Sequence, residues 1–211
     1  MAAKKTALSG RRAEAARNDE RILDAARKVF VDDPTAPISA VAERAGVGIG
    51  ALYHRYSGKE DLLRTLCMKG LEVYMAEAER ALASDDDPWD AYVGFLQRIV
   101  EADTHSLTVR LAGTFTPTVE DLEPNRMQDL TVELFERAKA TGRLRGDVTA
   151  LDIAYLLEFL AGVRLGDETR TAELRQRQLA VIIDGLSSKS PTPLPGSAPT
   201  WEEQAARWMP R

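Results

Sequence analysis

The stretch ISAVAERAGVGIGALYHRYSGKEDLL, Ile38 to Leu63, is the most informative part of the chain. It predicts two short helices joined by a tight turn that contains glycine. In the first helix, at about residues 38–45, apolar residues recur at nearly helical spacing and form one apolar face. Gly46 follows directly and suits a left-handed helix stop, because it has no side chain to strain that conformation. A second helix at about residues 49–55 completes a helix-turn-helix pattern.

The pattern continues beyond the second helix with a Leu-Tyr pair, an aromatic residue and a Lys-Glu pair: Leu52, Tyr53, Tyr56, Lys59 and Glu60. Ser57 and Glu60 have the spacing of a capping box, which predicts a third helix that begins at Gly58. Over roughly residues 17–66 the chain resembles the DNA-binding segment of the TetR-family transcriptional repressors.

This resemblance implies an all-α protein, with a three-helix DNA-binding head and a larger helical body that binds a ligand and dimerises. The corresponding domains are a flexible basic arm at residues 1–16, a helix-turn-helix domain at 17–64, an effector-binding and dimerisation domain at 65–187, and a tail rich in Pro and Ser at 188–211. The sequence shows no convincing strand pattern and predicts only helices along the body.

Charge is distributed unevenly along the chain. Residues 1–64 contain twelve Lys and Arg against nine Asp and Glu, whereas residues 65–211 contain 16 against 24. The head therefore has a charge of +3 and the remainder −8, within a total of −5. A basic head can meet DNA phosphates while an acidic body stays away from them. The basic residues of the arm predict either a contact along the DNA backbone or minor groove, or a solvated tail.

Several other classes of protein receive little support from the sequence. No apolar stretch approaches the roughly 20 residues of a membrane span, and no charged-then-apolar leader precedes the first helix, so we expect a cytoplasmic protein with no membrane partner. The single cysteine, Cys67, excludes an intrachain disulfide, and a buried thiol is favoured over a redox sensor. His54 and His105 are far apart and lack neighbours at ligand spacing, so no metal or cofactor is expected.

Residues of the head divide into those expected to contact phosphates and those expected to contact bases. Lys59 lies at a predicted helix start, where its charge and the exposed amides favour a phosphate, and the resemblance gives Tyr53 a phosphate contact through its hydroxyl. Tyr56 is expected in the core, at a position where the family usually has Phe. The family often has Ser or Thr where this chain has Pro37, so a phosphate contact from that cap is not expected here, and Ser39 is near enough to substitute for it.

Base contacts are expected from the exposed start of the second helix. Ile49 and Ala51 can touch a thymine methyl but cannot form paired hydrogen bonds to guanine or adenine. The small residues there leave more of the discrimination to the following aromatic and basic residues or to the arm. The candidate DNA-binding set is Ser39, Gly48, Ile49, Ala51, Tyr53, His54, Arg55 and Lys59.

Two C-terminal helices, at about 150–166 and 169–186, are predicted to pair with those of a second subunit. The segment AYLLEFLAGV is apolar on nearly every side, so it must be covered on more than one side. The resemblance also implies a four-helix bundle between subunits; cover within a single subunit is the alternative. The candidate interface set is Leu156, Phe159, Leu160, Val163, Leu179, Ile182, Ile183 and Leu186.

The effector site is less well defined, because the body is the variable part of the family. Polar or aromatic residues within apolar helices are the candidates: Trp89, Phe95, His105, Arg110, Phe115, Glu158 and Arg164. Arg164 lies on an apolar helical face and is expected to have a buried partner. An ion pair between subunits or a helix C-terminal cap explains it without a ligand, and both are favoured over ligand contact.

The sequence therefore predicts a homodimeric repressor that is released from a palindromic operator by a small-molecule effector. An effector-independent architectural or cell-division protein on the same fold is the alternative. An enzyme is a remote third hypothesis, suggested by the cluster ADTHS at residues 102–106. It is disfavoured because residues so close on a helix point to different sides, whereas catalytic groups usually come from distant segments.

Overall fold

The computed structural model describes residues 18–111, 124–187 and 192–206. Within these ranges the regular structure is helical, with one isolated bridge between Leu144 and Ser187. This confirms the predicted all-α class. The predicted arm at residues 1–16 and the effector candidate Phe115 lie outside the described residues.

The chain divides into two compact units, Met1–Cys67 and Met68–Arg211. The first unit, the head, contains α1 at residues 18–32, α2 Ile38–Ala45, α3 Ile49–Arg55 and the start of α4 Lys59–Leu82. The second unit, the body, contains the remainder of α4 and then α5 Pro88–Glu101, α6 Ser106–Leu111, α7 Pro124–Ala140, α8 Ala150–Gly162, α9 Glu168–Leu186 and α10 Trp201–Ala206. The helix α4 is therefore the covalent connection between the two units.

A left-handed turn at Gly46 sets the path of the chain from α2 into α3. Gly46 has φ 65° and ψ 36°, and its N–H donates to the carbonyls of Ala42 and Glu43. The Arg21 guanidinium of α1 donates to the Ala45 carbonyl at 2.6 Å, which satisfies an acceptor left open by the end of α2. The predicted glycine stop is thus confirmed, and α1 provides a tertiary contact that supports it.

The cap of α4 differs from the prediction. The Ser57 N–H and hydroxyl both donate to Asp61 Oδ2, at 2.8 and 3.1 Å, so Asp61 provides the carboxylate expected from Glu60. The helix begins at Lys59, one residue after the expected start. Ser57 and Asp61 are four residues apart, one more than the standard capping box.

Aromatic side chains of α5 and α7 form one part of the core of the body. Trp89, Tyr92 and Phe95 recur on one face of α5 and are at most 6% exposed. Tyr92 meets Phe135 edge to face, with ring centroids 6.3 Å apart, an arrangement that aromatic pairs favour. The Asp87 carboxylate accepts from the N–H groups of Trp89 and Asp90, so α5 begins with a side-chain cap.

The helix α8 begins as predicted but ends earlier. Thr149 and Asp152 form the expected capping box. Gly162 is the last residue of the helix, and Val163 has extended backbone with ψ 119°, so the predicted extension to 166 is wrong. Arg164 consequently lies beyond the helix and is exposed, and the expected buried position on its apolar face is wrong as well.

Three of the predicted interface residues are buried within one subunit. Leu160, Leu179 and Leu186 are at most 5% exposed and belong to the body core, since α8 and α9 pack on α5. Phe159 is 72% exposed, as an interface residue requires, and Val181 is 61% exposed although it was not in the predicted set. The other candidates, Leu156, Val163, Ile182 and Ile183, are partly buried.

The segment 192–206 returns to the body. The Arg145 guanidinium donates to the Thr192 carbonyl at 2.6 Å, and the Leu194 N–H donates to Asp147 at 2.9 Å. The hydrogen bond from Arg145 lowers the pKa of Asp147 most, and the hydrogen bond from the Leu194 N–H lowers it further. The sequence predicts a linker followed by a short, loosely docked helix from Trp201 to Met209; the structure has specific contacts for the linker and a helix at Trp201–Ala206.

Replacement of Gly46 by Ala should destabilise the head by about 1–2 kcal/mol, because an L-residue is strained in the left-handed region. A Cβ there would also lie 3.1 Å from Arg21 Nη2. Urea unfolding followed by circular dichroism measures the change. Gly50→Ala is the matched control: an added Cβ at this position inside α3 would have no neighbour within 4 Å, and the substitution should increase stability by roughly 1 kcal/mol. Equal effects of the two substitutions would contradict the strained turn.

Candidate nucleic-acid interface

The two faces of α3 differ sharply in burial. Leu52 is fully buried, and Tyr56, which ends the helix, is 5% exposed. Ile49 and Tyr53 are 42% and 54% exposed. Burial also raises the pKa of the Tyr56 hydroxyl. The expected core position of Tyr56 is confirmed, and the exposed side chains lie on a face of α3 that remains accessible.

The other candidate DNA contacts in the head are mostly exposed. Gly48, Ala51 and His54 are exposed at the start and along the outer side of α3, and Ser39 is exposed in the first turn of α2. Arg55 pairs with Asp19 of α1 while its side chain remains 59% exposed. This ion pair gives Arg55 a contact within the head that its position in the motif does not reveal.

Lys59 also makes contacts within the head. Its ammonium donates to the carbonyls of Pro34 and Ala36, at 2.7 and 2.8 Å, and lies 5.0 Å from the centre of the Phe30 ring. These contacts tie the start of α4 to the turn between α1 and α2. Since an ammonium has three N–H donors, a phosphate contact is still compatible with them. The structure thus assigns Lys59 a structural role beside the predicted one.

The effector candidates that the structure describes differ in their surroundings. Trp89 and Phe95 are core residues, at 6% and 2% exposure, whereas Arg110 and Arg164 are exposed. Glu158 is half-buried and accepts a hydrogen bond from Gln204 at 3.5 Å. A residue's type and its place in an apolar helix were therefore insufficient to locate a pocket.

His105 is the effector candidate that does line a cavity. Burial lowers its pKa to about 4, partly offset by the charge of Asp103, so the ring is neutral at pH 7. Its Nδ1 lies 2.9 Å from the Thr104 hydroxyl, and its ring meets Tyr74 with centroids 6.0 Å apart. The cavity offers about 10 Å³, room for roughly one water, and is lined by Ile99, Val100, Asp103, His105, Leu157, Leu160, Ala161 and Arg175.

The buried cation beside this cavity is Arg175 of α9, which was not among the residues predicted from the sequence. Its Nη1 donates to Asp103 at 2.7 Å, and Nη2 and Nε donate to the carbonyls of Ala161 and Val163 at 2.7 and 3.1 Å. Arg175 thus forms the helix C-terminal cap that was considered for Arg164. Its position after a run of polar residues at the start of α9 gave no sign of burial.

The ADTHS cluster has structural contacts. The buried Ser106 hydroxyl donates to Asp103 and, at 3.3 Å, to the Ala161 carbonyl. The described hydrogen bond of the His105 ring is to Thr104. These contacts join the start of α6 to the end of α8, which supports a packing role for the cluster.

Three further observations concern membrane spans, metal ligands and the cysteine. None of the described helices is long and apolar enough to cross a membrane. Among the described side chains, no group of three or more His, Cys, Asp or Glu is placed to hold a metal ion. Burial raises the pKa of Cys67 to about 11, which disfavours the reactive thiolate.

The described structure is thus a helical head in which one face of α3 is exposed, followed along the chain by a second helical unit. The family model of bacterial regulatory proteins of the tetR family matches residues 22–66. The model of the C-terminal domain of SbtR-like transcriptional regulators matches residues 87–188. The chain belongs to the TetR family of transcriptional regulators.

Individual relatives agree with this assignment. The HTH-type transcriptional repressor LfrR of Mycolicibacterium smegmatis is 38% identical over 87 residues, which span 41% of this chain and 43% of that protein. The match thus covers less than half of the relative's length. Two solved structures are similar: a TetR regulatory protein from Mycobacterium vanbaalenii and PfmR from Thermus thermophilus. The first is 27% identical over 83% of this chain and 98% of its own, with a TM-score of 0.54. The second is 23% identical over 79% and 98%, with a TM-score of 0.60, and supports the fold alone.

Replacement of Lys59 by Met should lower the stability of the head by about 2 kcal/mol, because two carbonyls lose a charged donor. Thermal unfolding followed by circular dichroism tests this. Lys28→Met is the control, since the Lys28 ammonium lies 3.6 Å from an exposed Asp24 carboxylate and such a pair contributes about 0–1 kcal/mol. If the two variants were equally stable, the structural role of Lys59 would be wrong.

Proposed function

We propose that the protein is a homodimeric repressor that binds a palindromic operator through its two heads and is released by a small-molecule effector. It acts where the bacterial chromosome lies, in the cytoplasm. The observation that carries the proposal is the two-faced α3, with Leu52 fully buried and Tyr53 54% exposed. A helix anchored on one side and open on the other can enter a major groove without loss of the head's core.

Within the head, positioning and reading are separate tasks. Tyr53 and the remaining donor of Lys59 contact phosphates, which are alike at every sequence. Ile49 contacts a thymine methyl, a feature found only in the major groove at T·A pairs. His54, Arg55, Ser39, Gly48 and Ala51 complete the candidate contact surface.

The dimer interface is proposed to form on the outer face of α8 and α9. Phe159 and Val181 are 72% and 61% exposed, and the half-buried Leu156, Ile182 and Ile183 support them from the edge of the core. Large apolar side chains at such exposure favour cover by a second copy. A twofold pair of heads also matches the two half-sites of a palindrome.

Release by an effector requires that the ligand bind the DNA-free conformation more tightly than the DNA-bound one. A preference of about 3 kcal/mol changes DNA affinity by roughly 150-fold, and DNA must weaken the ligand by the same factor. The mechanical route is α4, because it belongs to the body at Leu82 and to the head at Lys59. Among the effector candidates, His105 is favoured by its place beside the cavity.

An effector-independent DNA-binding protein is the second candidate, and the size of the cavity favours it. At about 10 Å³ the space beside His105 has no room for a drug-sized ligand unless the body opens. Genome-wide immunoprecipitation separates the two. A few sites near neighbouring genes support the effector-responsive repressor, whereas many dispersed sites support an architectural role.

Replacement of Tyr53 by Phe should weaken binding by a similar factor on every duplex, because it removes a phosphate contact. Ile49→Ala should instead reduce preference at one base pair per half-site by roughly 1 kcal/mol, or about fivefold. Both are measured at fixed salt by fluorescence anisotropy, on an operator selected from random DNA and on a scrambled duplex. Ile49→Val, which keeps the methyl contact, is the control. If Tyr53→Phe affected only the operator, the division of tasks would be wrong.

The double variant Phe159→Glu with Val181→Glu should be monomeric, because two buried carboxylates on each subunit oppose an apolar interface. Analytical ultracentrifugation at micromolar concentration measures the mass, and circular dichroism verifies the fold. Val73→Glu, an exposed apolar residue of α4, is the control and should remain dimeric. Leu160 is unsuitable for this test, since a charge in the core would unfold the subunit. A monomeric wild type would refute the interface.

A further inference from the structure

Arg175 is a buried cation held by two separate parts of the body. Its side chain is 8% exposed, and it bonds Asp103 before α6 and the carbonyls of Ala161 and Val163 at the end of α8. A buried guanidinium must keep an anionic partner, because removal of that partner leaves an uncompensated charge. The position therefore requires a carboxylate, whether it belongs to the chain or to a ligand.

Asp103 is the replaceable member of this pair. Its side chain is 29% exposed, whereas that of Arg175 is 8% exposed, so the carboxylate has a route to solvent that the guanidinium lacks. Its backbone has φ 50°, the one positive φ outside glycine among the described residues. Such a conformation is strained and persists only because surrounding contacts hold it. The Ser106 hydroxyl also donates to the Asp103 carboxylate, so a ligand that takes the place of Asp103 on Arg175 leaves this second contact available to it.

The cavity beside this pair has a mixed lining, in which His105, Asp103 and Arg175 are the polar members and the other side chains are apolar. Ile99 and Val100 of α5 line one side, and Leu157 and Leu160 of α8 line the other. The current space of about 10 Å³ holds roughly one water, and departure of the Asp103 side chain would enlarge it. The enlarged site, here called the slot, would present the Arg175 guanidinium next to the apolar side chains of α5 and α8, with His105 also in its lining.

We infer that this site binds an amphiphilic carboxylate, a small molecule with one carboxylate on an aliphatic body. Its carboxylate takes the place of Asp103 on Arg175, so the charge balance of the buried site is unchanged. Its aliphatic body contacts the slot between α5 and α8. A guanidinium suits this exchange, because its N–H groups donate equally well to the carboxylate of Asp103 or of a ligand.

Displacement of Asp103 reaches α4 through the residues that follow it. The Thr104 carbonyl lies 3.8 Å from a Cβ built on Gly70, and the His105 ring packs on Tyr74. Movement of this loop therefore changes the packing of the body part of α4. This regulatory step, unlike the binding site itself, depends on the proposed function as an effector-responsive repressor.

Octanoate is the probe, and uncharged octanamide of nearly the same shape is its control. Isothermal titration calorimetry on the full chain without DNA should show binding of octanoate and at least tenfold weaker binding of octanamide, as expected from loss of a charged hydrogen bond. Asp103→Asn should bind octanoate about tenfold more tightly than the wild type, because the competing carboxylate is gone. Arg175→Gln should lose binding, whereas Arg170→Gln, an exposed arginine of the same helix, should retain it.

Thermal unfolding of Asp103→Asn provides a readout that does not require a folded Arg175 variant. This variant should melt at a lower temperature than the wild type, and octanoate should raise that temperature more than octanamide does. Equal binding of the two probes, unchanged affinity in Asp103→Asn, or no octanoate binding at millimolar concentration would each overturn the inference. Failure to select an operator would refute the proposed function, and the calorimetry would still decide the carboxylate site.

Discussion

The orientation of α3 in the head depends on the burial of Leu52, on the inner face of that helix. Because this side chain is fully enclosed, rotation of α3 about its axis would expose it and place polar residues in the core. The left-handed turn at Gly46 sets the direction in which α3 begins, and Arg21 supports the carbonyl that precedes this turn. The exposed position of Tyr53 follows from these constraints, so the candidate DNA surface is a consequence of core packing.

The body has a comparable constraint in Arg175. Its guanidinium donates hydrogen bonds to the free carbonyls at the C-terminal end of α8 and also pairs with Asp103. One side chain thereby joins α8, α9 and the residues before α6. The buried charge stabilises this arrangement while its carboxylate partner is present, which also makes the arrangement sensitive to any ligand that competes for it.

Local patterns predicted those features that depend on neighbours in the chain. The α3 bounds, the glycine stop at Gly46 and the Thr149 capping box were all predicted, since each is decided within a few residues. The position of Tyr56 in the core also agrees with the prediction. The early end of α8 was missed, because AYLLEFLAGV continues to look apolar and helical where the chain already turns.

The sequence by itself determined the fold class and the place of the helix-turn-helix, because helical periodicity and turn residues act locally. Its motif residues also carried the resemblance to the TetR family, which the family models then showed. Only the tertiary structure decided which apolar residues of α8 and α9 are enclosed, so Leu160 lies in the core whereas Phe159 is exposed. It also decided that Lys59 bonds carbonyls of the α1–α2 turn and that Arg175 is the buried arginine. These outcomes depend on partners far away in the chain, and spacing along a single helix contains no information about them.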